Sequence, residues 1–131
     1  MIGLDTNVLV RYLTQDDPIQ SPQATELIEH RLTARNPGFI SVVAMAETVW
    51  VLERAYGLNG DQIADAIERT LQASELMVEN EQQVFAAMTT LREGRGSFAD
   101  ALIGALGMRA GCSHTATFDR GALRLPGFAP V

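Results

Sequence analysis

Apolar positions along this chain change period several times, and the changes mark out short strands that alternate with helices. Ile2 to Asp5 reads as a short buried strand and Asn7 to Thr14 as a helix. Asp17-Pro18 reads as a turn or cap. A second helix is expected from Ser21-Pro22, with Ser as its cap and Pro in the first helical position. It runs to about Ala34 and carries Ala24, Leu27, Ile28 and Leu32 on one stripe. Asn36-Pro37-Gly38 is a turn. Phe39 and Ile40 form a short strand, and Ser41 caps a helix from Val42 to Tyr56 that is apolar almost throughout until Arg54. Gly57 suits the end of that helix.

Further on, Asp61 to Ala73 is amphipathic, with Ile63, Ala64, Ile67 and Leu71 inward. Leu76 to Val78 is a strand. Asn80 and Gln83 have capping-box spacing before a helix from Val84 to Arg92. Gly94 and Gly96 interrupt the chain, and Ser97 with Asp100 repeats the capping-box spacing ahead of a helix through Met108, ended by Gly111. Cys112 to Phe118 reads as a strand, and Gly121 to Val131 as a loop with room for one edge strand. Trp50, Phe85, Met45, Met77, Met88 and Met108 are read as core. Strands alternating with helices predict an α/β fold in which helices cover a parallel sheet. No repeat, linker or low-complexity stretch divides the 131 residues, so a single domain over residues 1–131 is expected.

Composition narrows the class. Hydrophobic residues make up 47% of the chain, which excludes a disordered protein. The single Cys112 forms no internal disulfide and suits a reducing compartment. No basic residue precedes Arg11, Asp5 interrupts the apolar start, and no apolar run approaches the ~18 residues of a membrane span. The expectation is a soluble cytoplasmic protein. A net charge of −6 and a pI near 4.8 argue against a broad basic face gripping nucleic acid. They are compatible with a cluster of acids that holds metal. All the basic residues are Arg.

Four acids occupy unusual places. Asp5 lies where a strand gives way to a helix, the edge at which α/β sheets bind ligands. Taken alone, Asp5 or Thr6 reads more simply as a helix cap. Glu47 has Val43, Ala44, Trp50 and Val51 as its helical neighbours, which predicts a carboxylate on an apolar face. Burying it is costly unless it is paired or metal-bound; an ion pair with Arg54 is the competing explanation. Asp100 alone reads as the acid that closes a capping box. Asp119 follows Thr115-Ala116-Thr117-Phe118 at the carboxyl end of a strand, or is a turn acid before Arg120-Gly121. Asp5 and Asp119 are expected at the same edge of a parallel sheet. Converging carboxylates would suit Mg²⁺ or Mn²⁺ and the hydrolysis of phosphodiesters. Other chemistries lack support. No Gly-rich phosphate loop is present. His30, His114 and Cys112 make neither a zinc spacing nor a supported triad, and His114 is read as a satisfied strand residue.

Leu4-Asp5-Thr6-Asn7-Val8-Leu9, Glu47 in a Val- and Trp-rich helix, Phe98-Ala99-Asp100-Ala101-Leu102-Ile103 and Thr117-Phe118-Asp119-Arg120 come in an order that resembles the PIN-domain family. Within it, the chain resembles the VapC-type ribonuclease toxins of type II toxin–antitoxin pairs. The resemblance spans nearly the whole chain and rests on the ordered set of four pieces. It implies a three-layer α/β/α sandwich around a short parallel sheet, with Mg²⁺ or Mn²⁺ held by Asp5, Glu47, Asp100 and Asp119. It implies endonucleolytic cleavage of RNA, a homodimer and a small antitoxin partner. It also implies that Thr6, Asn7 and Thr117 support the site by hydrogen bonds. Arg11, Arg95 and Arg120 lie near the motifs and are candidates to meet RNA. Two other functions compete. An aspartyl-phosphate phosphotransfer protein would use a Lys beside the phosphate, and this chain has none. A non-catalytic α/β interaction module would use its acids only as caps; metal binding separates it from a nuclease.

Overall fold

The computed structural model describes all of Met1–Val131, which divide into two compact units, Met1–Glu81 and Gln82–Val131. The first holds β1 (Ile2–Gly3), α1 (Thr6–Thr14), α2 (Gln20–Thr25), β2 (Gly38–Ile40), α3 (Val42–Arg54), α4 (Gly60–Gln72) and β3 (Leu76–Val78). Its strands pair in the order β1-β2-β3, all parallel, with Ile2 opposite Gly38 and Gly38 opposite Leu76. Parallel neighbours require long crossovers, and the helices between successive strands supply them. Leu9, Ile28, Ile40, Met45, Leu52 and Ile63 are almost completely buried. Each such side chain stabilises the fold by roughly 1.5–3 kcal/mol relative to exposure.

α5 (Glu81–Arg92) begins at the boundary, and the second unit continues with α6 (Phe98–Arg109), β4 (Thr115–Thr117), a 3₁₀ turn (Ala122–Arg124) and β5 (Phe128–Pro130). β4 and β5 pair in parallel, Thr115 opposite Phe128. Phe98, Leu102, Val84, Met88 and Leu125 are buried. Gly104 of α6 lets the helix approach β5: a Cβ there would stand 2.6 Å from the Phe128 ring.

The expected α/β class, with parallel strands and intervening helices, is what forms. Several local expectations are corrected. β1 is not buried: Ile2 is exposed, and only Leu4, whose N–H donates to the Phe39 carbonyl, is interior. The second helix does not start with a Ser21 cap. Its N-cap is Ile19, and Asp17 just ahead of it accepts from the backbone N–H groups of Ile19 and Gln20, while Ser21 is buried and donates to the Arg11 carbonyl. That helix widens into a π-helical stretch, Glu26–Arg31, and ends there, with the Leu32 N–H reaching back to the Leu27 carbonyl. Asn80 adopts φ 51°, so it lacks the extended backbone of a cap. The cap that the hydrophobic pattern did not single out is at α4, where Asn59 and Gln62 close a full capping box. Met45 and Met88 are core, but Trp50, Phe85, Met77 and Met108 are exposed. His114 is exposed ahead of β4, with its Nδ1 3.1 Å from the Ser113 hydroxyl.

Candidate active site

Asp5 is the residue on which β1 ends and α1 begins. Its extended backbone makes it the N-cap, and its Oδ1 accepts from the Thr6 N–H at 2.7 Å. The capping explanation is therefore physically realised, and it uses one carboxylate oxygen. The other makes no hydrogen bond. Glu47 projects from the middle of α3. Contrary to the sequence expectation it is exposed, because the helix buries Ala44, Met45, Thr48, Val49 and Leu52 and turns Val43, Glu47 and Trp50 outward. The apolar residues around Glu47 thus mark an outer face. Arg54 does not pair with Glu47; its guanidinium stacks 5.8 Å from the centre of the Trp50 ring.

Thr6 joins the two acids. Its backbone N–H serves Asp5, and its hydroxyl donates to Glu47 Oε1 at 2.7 Å. Asp5, Thr6, Asn7, Arg11, Glu47 and Tyr56 line one cavity of about 420 Å³, floored by Val10, Val51 and Ala55. Asn7 is exposed there and makes no hydrogen bond. The cavity has two carboxylates, each with an oxygen left over. Such hard oxygen donors fit Mg²⁺ or Mn²⁺, ions that retain several waters and need few protein ligands.

Beside the acids, Arg11 is gripped from three sides. Its Nε donates to Gln20 Oε1 at 3.0 Å, and its Nη1 donates to Asp16 at 3.1 and 3.2 Å and to the Tyr56 hydroxyl at 3.1 Å. The Tyr56 hydroxyl in turn donates to Asp16 Oδ2 at 2.6 Å, and the Thr14 hydroxyl lies 2.7 Å from Asp16 Oδ1. Tyr56, Thr14 and Arg11 together hold the Asp16 carboxyl down to about pKa 2, while Asp16 raises that of the Arg11 guanidinium. No local pattern marks Tyr56, whose contacts reach Asp16 and Arg11 across 40 and 45 residues, and Asp16 meets Thr14 and Arg11 locally in a turn that looks like any other.

In the second unit, Asp100 is the third residue of α6. Ser97 caps the helix by accepting from the Asp100 N–H at 3.1 Å. The reciprocal half of the box is missing: the half-buried Asp100 carboxylate does not take the Ser97 N–H and makes no other hydrogen bond. Asp119 follows β4 in a turn fixed from both sides. Its N–H donates to Thr117 Oγ1 at 3.0 Å, and its Oδ1 accepts from the Gly121 N–H at 2.8 Å. Arg95 is paired with Glu93 at 2.7 Å. Asp5 and Glu47 thus come together in one unit, and Asp100 and Asp119 belong to the other. Within neither unit do three or more His, Cys, Asp or Glu side chains gather as a metal-holding group.

The family model for the PIN domain matches residues 2–127, nearly the whole chain. Among curated proteins none matches.

Proposed function

This chain belongs to the PIN-domain family, whose members are typically metal-dependent nucleases, and from that membership we propose that it is an endoribonuclease whose divalent ion, Mg²⁺ or Mn²⁺, is held by Asp5, Glu47, Asp100 and Asp119. The observation that carries this reading is the Asp5–Thr6–Glu47 link, which turns two carboxylates from separate elements onto one cavity, each with a free oxygen. The Asp100 carboxylate, spared from the capping box, is available in the same sense. An ion so held would stabilise charge on a phosphoryl oxygen and lower the pKa of a water. The chain's own part is orientation. Thr6 fixes Asp5 and Glu47, and Thr117 fixes the turn that carries Asp119.

The finer reading is the toxin of a VapC-type toxin–antitoxin pair, acting in the cytoplasm as a homodimer and blocked by a small antitoxin. No helix here is long and apolar enough to cross a membrane. The apolar stripes of α2 with its π-helical continuation and of α4 are used inside the chain by Ala24, Ile28, Ile63 and Ile67, so they are not the dimer surface. Support for a protein partner comes instead from Val43 and Trp50, 66% and 60% exposed on one face of α3.

A second reading rests on Asp5 and Asp119 making local backbone hydrogen bonds, as caps and turn acids do in a non-catalytic module. Cleavage assays separate the two. The nuclease cuts RNA with Mg²⁺ or Mn²⁺ and not with EDTA. Asp5→Asn, Glu47→Gln, Asp100→Asn and Asp119→Asn each lower the rate at least about a hundredfold, of the order expected when charged transition-state stabilisation is lost. Unchanged cleavage in EDTA, or by folded Asp5→Asn, contradicts the reading.

A further inference from the structure

Resting on the ribonuclease reading, we propose that Arg11 binds an RNA phosphate next to the Asp5–Glu47 cavity, and that Asp16, Tyr56 and Gln20 are the positioning residues that hold its guanidinium there. Phosphate needs a cation at this place. The chain carries a net charge of −6, and the cavity already has two carboxylates facing a polyanion. Among the residues that line it, Arg11 is the one cation.

The hydrogen bonds leave Arg11 one usable edge. A guanidinium has five N–H donors. Nε is taken by Gln20, and the two on Nη1 by Asp16 and Tyr56. Nη2 makes no hydrogen bond, so its two N–H groups remain for an incoming oxygen. Three partners have already ordered the side chain, so little rotamer freedom is lost when phosphate binds. Asp16 pairs with Nη1 and offsets part of the charge on that side, while its oxygens, also held by the Tyr56 and Thr14 hydroxyls, fix the guanidinium so that the Nη2 edge is the one left to donate to phosphate. Arg11 also lines a second cavity, of about 370 Å³, which lies between α1 and α2 and shares Asn7 with the first. A strand with one phosphate at the acids can continue past Arg11 into that space, where Arg31 and Gln23 also stand. Tyr56 fits the positioning role in detail: its hydroxyl accepts from Arg11 and donates to Asp16, which spends its single proton and fixes both groups.

The test is steady-state cleavage of a short single-stranded RNA with Mn²⁺ across a range of salt. The variants are Arg11→Gln/Asp16→Asn, which removes one charge of each sign and keeps the net charge, and Tyr56→Phe. The double variant should raise KM about tenfold, the worth of one charge-assisted contact, and keep kcat within about twofold. Its dependence of log KM on log salt should be shallower by about 0.7, one single-strand phosphate. Tyr56→Phe should raise KM by a smaller factor, with kcat kept. A folded double variant with the wild-type KM and salt slope overturns the proposal while leaving the nuclease intact. So does a loss confined to kcat. If the double variant does not fold, Tyr56→Phe decides, and an unchanged KM overturns the proposal. A wild type that neither cuts nor binds RNA overturns the ribonuclease reading together with this one.

Discussion

Asp16 gives the clearest single-residue handle on pH. Hydrogen bonds from Tyr56, Thr14 and Arg11 lower its pKa from 3.8 to about 2. A carboxyl depressed in the folded state contributes stability above its unfolded pKa and loses it as pH falls through the folded value. The contribution is therefore complete above about pH 4 and disappears between there and about 2. Thermal melts should fall more steeply with acid over that window in the wild type than in Asp16→Asn, and parallel curves would show that the network adds nothing. Asp5 is legible because a strand-to-helix switch is local. Glu47 is legible as an odd residue, but for the wrong reason: Val43 and Trp50 suggest an interior, and the structure turns all three outward. Helical period tells which residues share a face and not which face is covered. Tyr56 is illegible because its contacts span 40 and 45 residues, and Asp16 because a turn acid two and five residues from Thr14 and Arg11 has the same pattern as any solvated carboxylate.

Among the elements, α4 shows how local chemistry fixes a boundary. Asn59 accepts from the Gln62 N–H at 2.9 Å, and Gln62 accepts from the Asn59 N–H at 3.0 Å. Two otherwise orphaned donors are satisfied at once. Asn59→Ala should cost about 1 kcal/mol in urea unfolding, and a change under a few tenths would show that the packed face of Ile63, Ala64, Ala66 and Ile67 holds the helix without its cap. The six helices were readable from apolar periodicity, and their ends from Gly57 and Gly111, whose φ values of 63° and 95° suit glycine. Ser21 misled because a Ser before Pro looks like a cap. Asp17 accepts from two backbone N–H groups, and the helix starts at Gln20, two residues earlier. The π-helical stretch at Glu26–Arg31 had no signature in the pattern, since an added residue per turn leaves the stripe of Ala24, Ile28 and Leu32 intact.

For the whole molecule, the α/β class followed from strands alternating with helices, whereas the division of the chain into Met1–Glu81 and Gln82–Val131 had no linker or change of composition to announce it. Burial across the surface was the least legible. Trp50, Phe85 and Phe118 are 60%, 55% and 89% exposed, although large apolar residues usually predict core. A homodimer that uses the Val43–Trp50 face should show twice the monomer mass in light scattering at micromolar concentration, and Trp50→Glu should halve it; a monomeric wild type would contradict that assembly. Shared coordination of a divalent ion by Asp5, Glu47, Asp100 and Asp119 can be read from titration calorimetry of Mn²⁺ into the metal-free protein. A metal-dependent nuclease should bind Mn²⁺ saturably and lose or greatly weaken that binding in Asp5→Asn and in Asp100→Asn. Heat no greater than dilution in the folded wild type would contradict it and leave the acids as caps.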